Sequence, residues 1–119
     1  MEKKDIKNAV KLDAQGKSLG RLASRIAFLL QDKHLPQYAP NKEGETFVEV
    51  ENLDKIKFAL PKLRTKIYYH HTRYMGHMQK VPLPEAWAKS PTRVLQKAVR
   101  GMLPKNKLRK LRMKRLIVK

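Results

Sequence analysis

Positive charge is concentrated in one half of this chain, and that restricts its fold more than any other feature. Residues 61–119 hold 17 Lys+Arg and one acid, Glu85, a net of +16. Residues 1–60 hold 11 Lys+Arg and 9 Asp+Glu, a net of +2. A compact body with so much charge of one sign repels itself until a polyanion neutralises it. The pattern therefore predicts a nearly neutral half that anchors and a cationic half that meets a partner. Nucleic acid is the first candidate and an anionic membrane surface the second. A length of 119 residues allows a single domain, 1–119, with one modest core.

Several classes are excluded early. There is no cysteine, so disulfides, thiol catalysis and every cysteine-containing zinc site are ruled out. No apolar run approaches the roughly 20 residues of a membrane span. The opening MEKKDIKNAV lacks the hydrophobic segment of a signal peptide, and residues 1–7 read as a loose, charged end. The expectation is a soluble, cytoplasmic protein with no membrane partner.

Periodicity predicts the elements. Ala9 to Leu12 reads as a short strand, followed by turn chemistry at Asp13–Gly16. Ser18 is placed to cap a helix in which Leu19, Leu22, Ala23, Ile26, Ala27 and Leu30 share one face. Arg21 and Arg25 fall four apart on the other side. Residues 32–45 read as a loop. Thr46 to Glu51 alternates as a half-buried strand with Glu49 and Glu51 facing solvent, and Ile56, Phe58 and Leu60 alternate as a further strand. Ile67 to Tyr69 is extended and leads to a loop around Gly76, and a helical turn holds Trp87 as a core or staple residue. Ser90 caps a second long helix with Pro91 at its first position. That helix has a dry side, Val94, Leu95, Ala98, Val99 and Met102, and a cationic side, Arg93, Lys97 and Arg100. A basic helical segment over 104–115 follows, with seven Lys+Arg between residues 105 and 115, then a closing strand at Leu116–Val118. Strand–helix–strand order predicts an α/β layer structure on a small, mainly parallel sheet.

The motifs favour binding over catalysis. Gly16-Lys17-Ser18 before a helix resembles the end of a phosphate loop, but Lys11 stands where the motif requires its first glycine. A helix start beside Lys17 still suits one phosphate, against the plain alternative of an ordinary helix start. His70 and His71 are adjacent in an extended segment and point to opposite sides, so no metal site is expected. Nothing in the spacing of Ser, His, Asp or Glu implies a catalytic constellation, and neither an enzyme nor a cofactor is expected. The segment 62–80 carries more weight. Lys62, Arg64, Lys66, Arg73 and Lys80 offer charge for phosphates. Tyr68, Tyr69 and Tyr74, with His70, His71 and His77, offer flat faces for unstacked bases. Downstream, Lys105, Asn106, Lys107 and Arg109, with Lys110, Arg112 and Lys114, form the main positive lobe. Mutual repulsion predicts that this lobe takes its shape only against a polyanion.

Four stretches carry a resemblance. Asp13 to Ala23 (DAQGKSLGRLA) resembles the opening of the large-subunit ribosomal protein thirteen family. Lys66 to Thr72 (KIYYHHT) is similar to that family's central motif, Lys97 to Asn106 (KAVRGMLPKN) to its most distinctive segment, and Arg115 to Val118 to its closing strand. The matches run in order over about residues 9–118. The resemblance implies a three-layer α/β/α fold around a four-stranded, mostly parallel sheet. It also implies a structural component of the large ribosomal subunit that binds its rRNA, helps assembly and sits beside other ribosomal proteins. Carried over by motif, Lys17, Arg21, Tyr69 to His71 and Arg100 to Asn106 are expected at or near RNA. The rival is a regulatory module that binds DNA or its own messenger RNA, the two helices around Pro104 mimicking a helix-turn-helix. No homo-oligomer is expected.

Overall fold

A computed structural model describes residues 9–58, 65–76 and 78–118. Their order is β1 (Ala9–Asp13), α1 (Leu19–Leu30), β2 (Phe47–Glu51), a 3-10 turn (Leu53–Lys55), β3 (Ile67–His71), β4 (Met78–Pro82), α2 (Leu83–Lys89), α3 (Pro91–Met102), α4 (Leu108–Met113) and β5 (Leu116–Val118). The architecture is mixed α/β. β1, β2 and β5 form a parallel sheet with β2 in the middle, and β3 and β4 form a separate antiparallel hairpin.

The local chemistry explains most boundaries. Asp13 Oδ1 accepts from the Gln15 amide at 2.9 Å, and Gly16 takes φ +72°, which closes the turn between β1 and α1. Ser18 occupies the cap position of α1, though its hydroxyl makes no cap hydrogen bond. Ser90 does cap α3: its Oγ accepts from the Arg93 amide at 3.5 Å, with Pro91 at the first helical position. Asn106 Oδ1 accepts from the Leu108 amide at 3.1 Å and turns the chain into α4.

Three expectations change. The parallel sheet has three strands among the described residues, not four. Asn52 turns left-handed at φ 56° and the 3-10 turn follows, so the chain leaves β2 before Ile56. Only Lys57 then makes a parallel bridge, to Ser18, while Ala59 and Leu60 lie outside the described residues. Second, Glu49 is buried rather than solvated. Sequence alternation assumed one open face, but β2 has a parallel neighbour on each side and α1 packed against it. Such strands are covered on both faces. Third, Met78–Pro82, beyond the loop expected around Gly76, is strand β4; MQKVP does not alternate, and its pairing with β3 makes it a strand.

The core lies where α1, β2 and α3 meet. Leu22, Ile26 and Leu30 of α1 join Val48 and Val50 of β2, Leu95 and Val99 of α3, and Leu83 of α2, all essentially inaccessible. Each such side chain contributes about 1.5–3 kcal/mol relative to exposure. Trp87 meets Phe58 edge to face at 4.9 Å and packs on this cluster, as its sequence position predicted. The hairpin reaches the core through Tyr68 and α2, which leaves most of its surface open.

Candidate nucleic-acid interface

The cationic helix α3 stands on the core by Val94, Leu95 and Val99, which leaves Arg93, Lys97 and Arg100 on its open side. Residues 104–107 then turn the chain into α4, which packs on α3. Between them, with His70 of β3, runs a groove of about 1080 Å³. Nine residues expected from sequence line it. Arg93, Lys97 and Arg100 come from α3, and His70 from the hairpin. Asn106, Lys107, Arg109, Lys110 and Lys114 come from α4 and its flanks. Seven of the nine are Lys or Arg, and no carboxylate is in the lining. Opposed rows of cations over a shared concavity fit a chain of phosphates rather than a small neutral ligand.

Lys97 has a second contact. Its Nζ lies 4.6 Å from the centre of the Tyr68 ring, and Lys66 Nζ lies 5.6 Å from the same ring. The half-buried ring gives both ammonium groups a fixed resting place. Burial also pushes the Tyr68 phenol above its ordinary pKa, so it stays neutral.

A second basic concavity, about 650 Å³, lies at the start of α1. Lys17 and Arg21 line it as expected, joined by Arg25 and Lys57 over Leu22 and Phe58. Arg25 was legible as the residue four beyond Arg21. Lys57 was not, because it arrives through the bridge to Ser18, where its amide donates to Lys17 O at 3.1 Å.

The remaining expected residues scatter. Tyr69, His71, Arg73, Lys80 and Lys105 are exposed but outside both concavities. Strand alternation separates Tyr69 and His71 from His70, so Tyr69 to His71 is not one continuous surface. Lys62, Arg64 and His77 lie outside the described residues. Arg112 is a correction. It is 1 % exposed, and its Nη2 donates to Lys42 O at 2.9 Å and its Nε to Glu43 O at 3.4 Å. Its guanidinium is turned into the protein, not toward a partner. Composition alone could not separate it from the six other Lys and Arg between residues 105 and 115.

The profile of the family described as "Ribosomal protein L13" matches residues 7–118. The chain belongs to the ribosomal protein L13 family. Among similar proteins, each named "Large ribosomal subunit protein uL13", that of Thermus thermophilus is 49% identical over 109 residues, 92% of this chain and 78% of its own length. That of Clostridioides difficile is 46% identical over 107 residues, 90% of this chain and 75% of its own. That of Thioalkalivibrio sulfidiphilus is 42% identical over 107 residues, with the same coverage. The L13 match spans both basic concavities and the sheet that supports them. No helix among the described residues of this L13 chain is long and apolar enough to cross a membrane.

Proposed function

We propose that this chain is a structural, non-catalytic constituent of the large ribosomal subunit, and that the groove between α3 and α4 binds large-subunit rRNA. The observation that carries the reading is the groove itself: seven Lys or Arg around one concavity, with no acid in its lining. Affinity comes chiefly from neutralising phosphates and releasing their counterions. Specificity comes from RNA shape and from bases unstacked beside His70, since a folded RNA offers few readable groove edges. The basin of Lys17, Arg21, Arg25 and Lys57 takes a second stretch of backbone. Relatives named for the large subunit support this assignment.

Three finer points belong to the same reading. The chain works as one copy beside neighbouring ribosomal proteins, because a net charge of +18 opposes a second copy. The parallel bridge from Lys57 to Ser18 marks where the fourth strand of a layered α/β/α fold lies. A structured messenger RNA could use the same groove, whereas the helix-turn-helix rival is disfavoured by α4, which is six residues long and turns Arg112 inward. Co-sedimentation with large subunits over rising salt tests the assignment. Retention at low salt and graded release is expected; failure to co-sediment at any salt would overturn it.

A further inference from the structure

The loop between α1 and β2 grips the C-terminal segment through two buried arginines. Arg112 reaches the carbonyls of Lys42 and Glu43. Arg115, 5 % exposed, donates through Nη1 to Thr46 O at 2.7 Å. Its Nη2 is shared between Leu30 O, at 2.6 Å, and Glu43 O. The loop is shaped to receive them. Asp32, left-handed at φ 58°, accepts from the amides of Glu45 at 2.8 Å and Thr46 at 3.2 Å. Gly44 sits at φ +90°, and a Cβ there would stand 2.8 Å from Asp32 Oδ2 and 3.2 Å from Arg115 Nη2. Only glycine leaves the carbonyls free to converge.

These contacts reach across about seventy residues of sequence and hold an element that has little else to hold it. α4 is six residues long, too short to persist alone. Three of its six residues, Arg109, Lys110 and Arg112, are cations, and Lys114 follows directly. Leu111 is 37 % exposed, and Arg112 is the only residue of α4 that is buried. Met113 packs half-buried against the core, so the one fully buried anchor of the helix is a charged side chain.

We propose that Arg112 and Arg115 are positioning residues: they clasp loop 31–46 and thereby hold α4, with Arg109 and Lys110, in its partner-facing pose before any RNA arrives. This rests on the groove reading for its consequence in binding, but not for the clasp itself. It replaces the expectation that the lobe takes shape only against a polyanion. Leucine or methionine at 112 could fill the space but could not satisfy two backbone carbonyls.

The test uses the full chain and two variants. Arg112→Met removes the clasp from the helix side, and Asp32→Asn loosens it from the loop side, away from the groove. Hydrogen exchange of the free protein should show amides 108–113 exchanging at least about tenfold faster in Arg112→Met, with α1 unchanged. Asp32→Asn should move the same amides in the same direction, and it carries the test if Arg112→Met does not fold. Affinity for a large-subunit rRNA fragment should fall about three- to tenfold, the cost of ordering the helix on binding. The salt slope should stay as in the unaltered protein, because no phosphate contact is removed. Unchanged exchange in α4 overturns the clasp. Unchanged affinity overturns its role in binding. A slope shallower by about 0.7–0.9 makes Arg112 a direct phosphate contact and also overturns the proposal. Failure of the groove reading shows elsewhere: Arg109→Ala with Lys110→Ala would leave both affinity and slope unchanged.

Discussion

α1 and α3 are both twelve residues long and pack against each other, yet they are built for opposite tasks. α1 buries seven residues, and α3 buries three. The apolar stripe of α1 is broad enough to face β2 and α3 at once, so the helix is part of the core. The stripe of α3 is narrow, which leaves Arg93, Lys97 and Arg100 exposed on its open side, with Lys97 against the Tyr68 ring. A rigid cation loses less freedom on binding than a cation on a loose tail. The difference teaches that the cations of α3 keep a set direction because an apolar underside fixes the helix that carries them.

The sharpest way to break the comparison is to damage each helix in its own currency. Leu22→Ala in α1 empties a position that is 1 % exposed and should cost about 2–5 kcal/mol in denaturant unfolding. RNA affinity per folded molecule should hold. Reversing Arg93, Lys97 and Arg100 together to Glu should do the converse. RNA affinity falls by about a hundredfold, or roughly 2.7 kcal/mol, while the unfolding midpoint barely moves. If the α1 variant loses RNA affinity and the α3 variant loses stability, the division of labour is wrong.

A smaller effect sharpens the role of the cap. Ser90→Ala removes one long hydrogen bond at 3.5 Å and should cost under about 1 kcal/mol, near the low end for caps. Ser18→Ala should cost less still, since Ser18 makes no cap bond. Equal costs would mean that the two helix starts are alike after all.

A further effect belongs to Asp32 and is read in its pH dependence. Burial opposes its ionisation, but hydrogen bonds from Thr46 and Glu45 and the nearby Arg115 outweigh that and hold its pKa below 3.8. A lowered folded pKa stabilises the fold above about pH 4, and that contribution is lost as pH falls through the folded value. Asp32→Asn should therefore flatten the acid limb of the stability curve. An unchanged limb would mean that Asp32 is not coupled to folding.

How much of this was legible depended on range. α1, α3, β1, β2 and β5 follow from periodicity and turn chemistry within a few neighbours, and each stands close to its expected limits. Nine groove residues were likewise readable as cations, an amide and a ring, though only Arg93, Lys97 and Arg100 on a defined helix face. What could not be read depends on distant parts of the chain. β4 needs β3 to be a strand, Glu49 is buried because β5 arrives from the far end, and Lys57 joins Lys17 only through a bridge. Arg112 and its neighbour Arg109 are the same residue type three positions apart, one turned in and one out. Residues three apart share a side of a helix, so phase alone does not separate them; the carbonyls of Lys42 and Glu43, some seventy positions away, draw Arg112 in.

The most direct measurement is the salt dependence of binding to a large-subunit rRNA fragment, run side by side for the unaltered chain and the Arg93, Lys97 and Arg100 reversal. Log affinity should fall linearly with log salt, by about 0.7–0.9 per phosphate neutralised, and the reversed protein should show a slope shallower by about two to three units. Superimposable slopes, or a slope near zero in the unaltered chain, would mean that the groove between α3 and α4 does not bind phosphate.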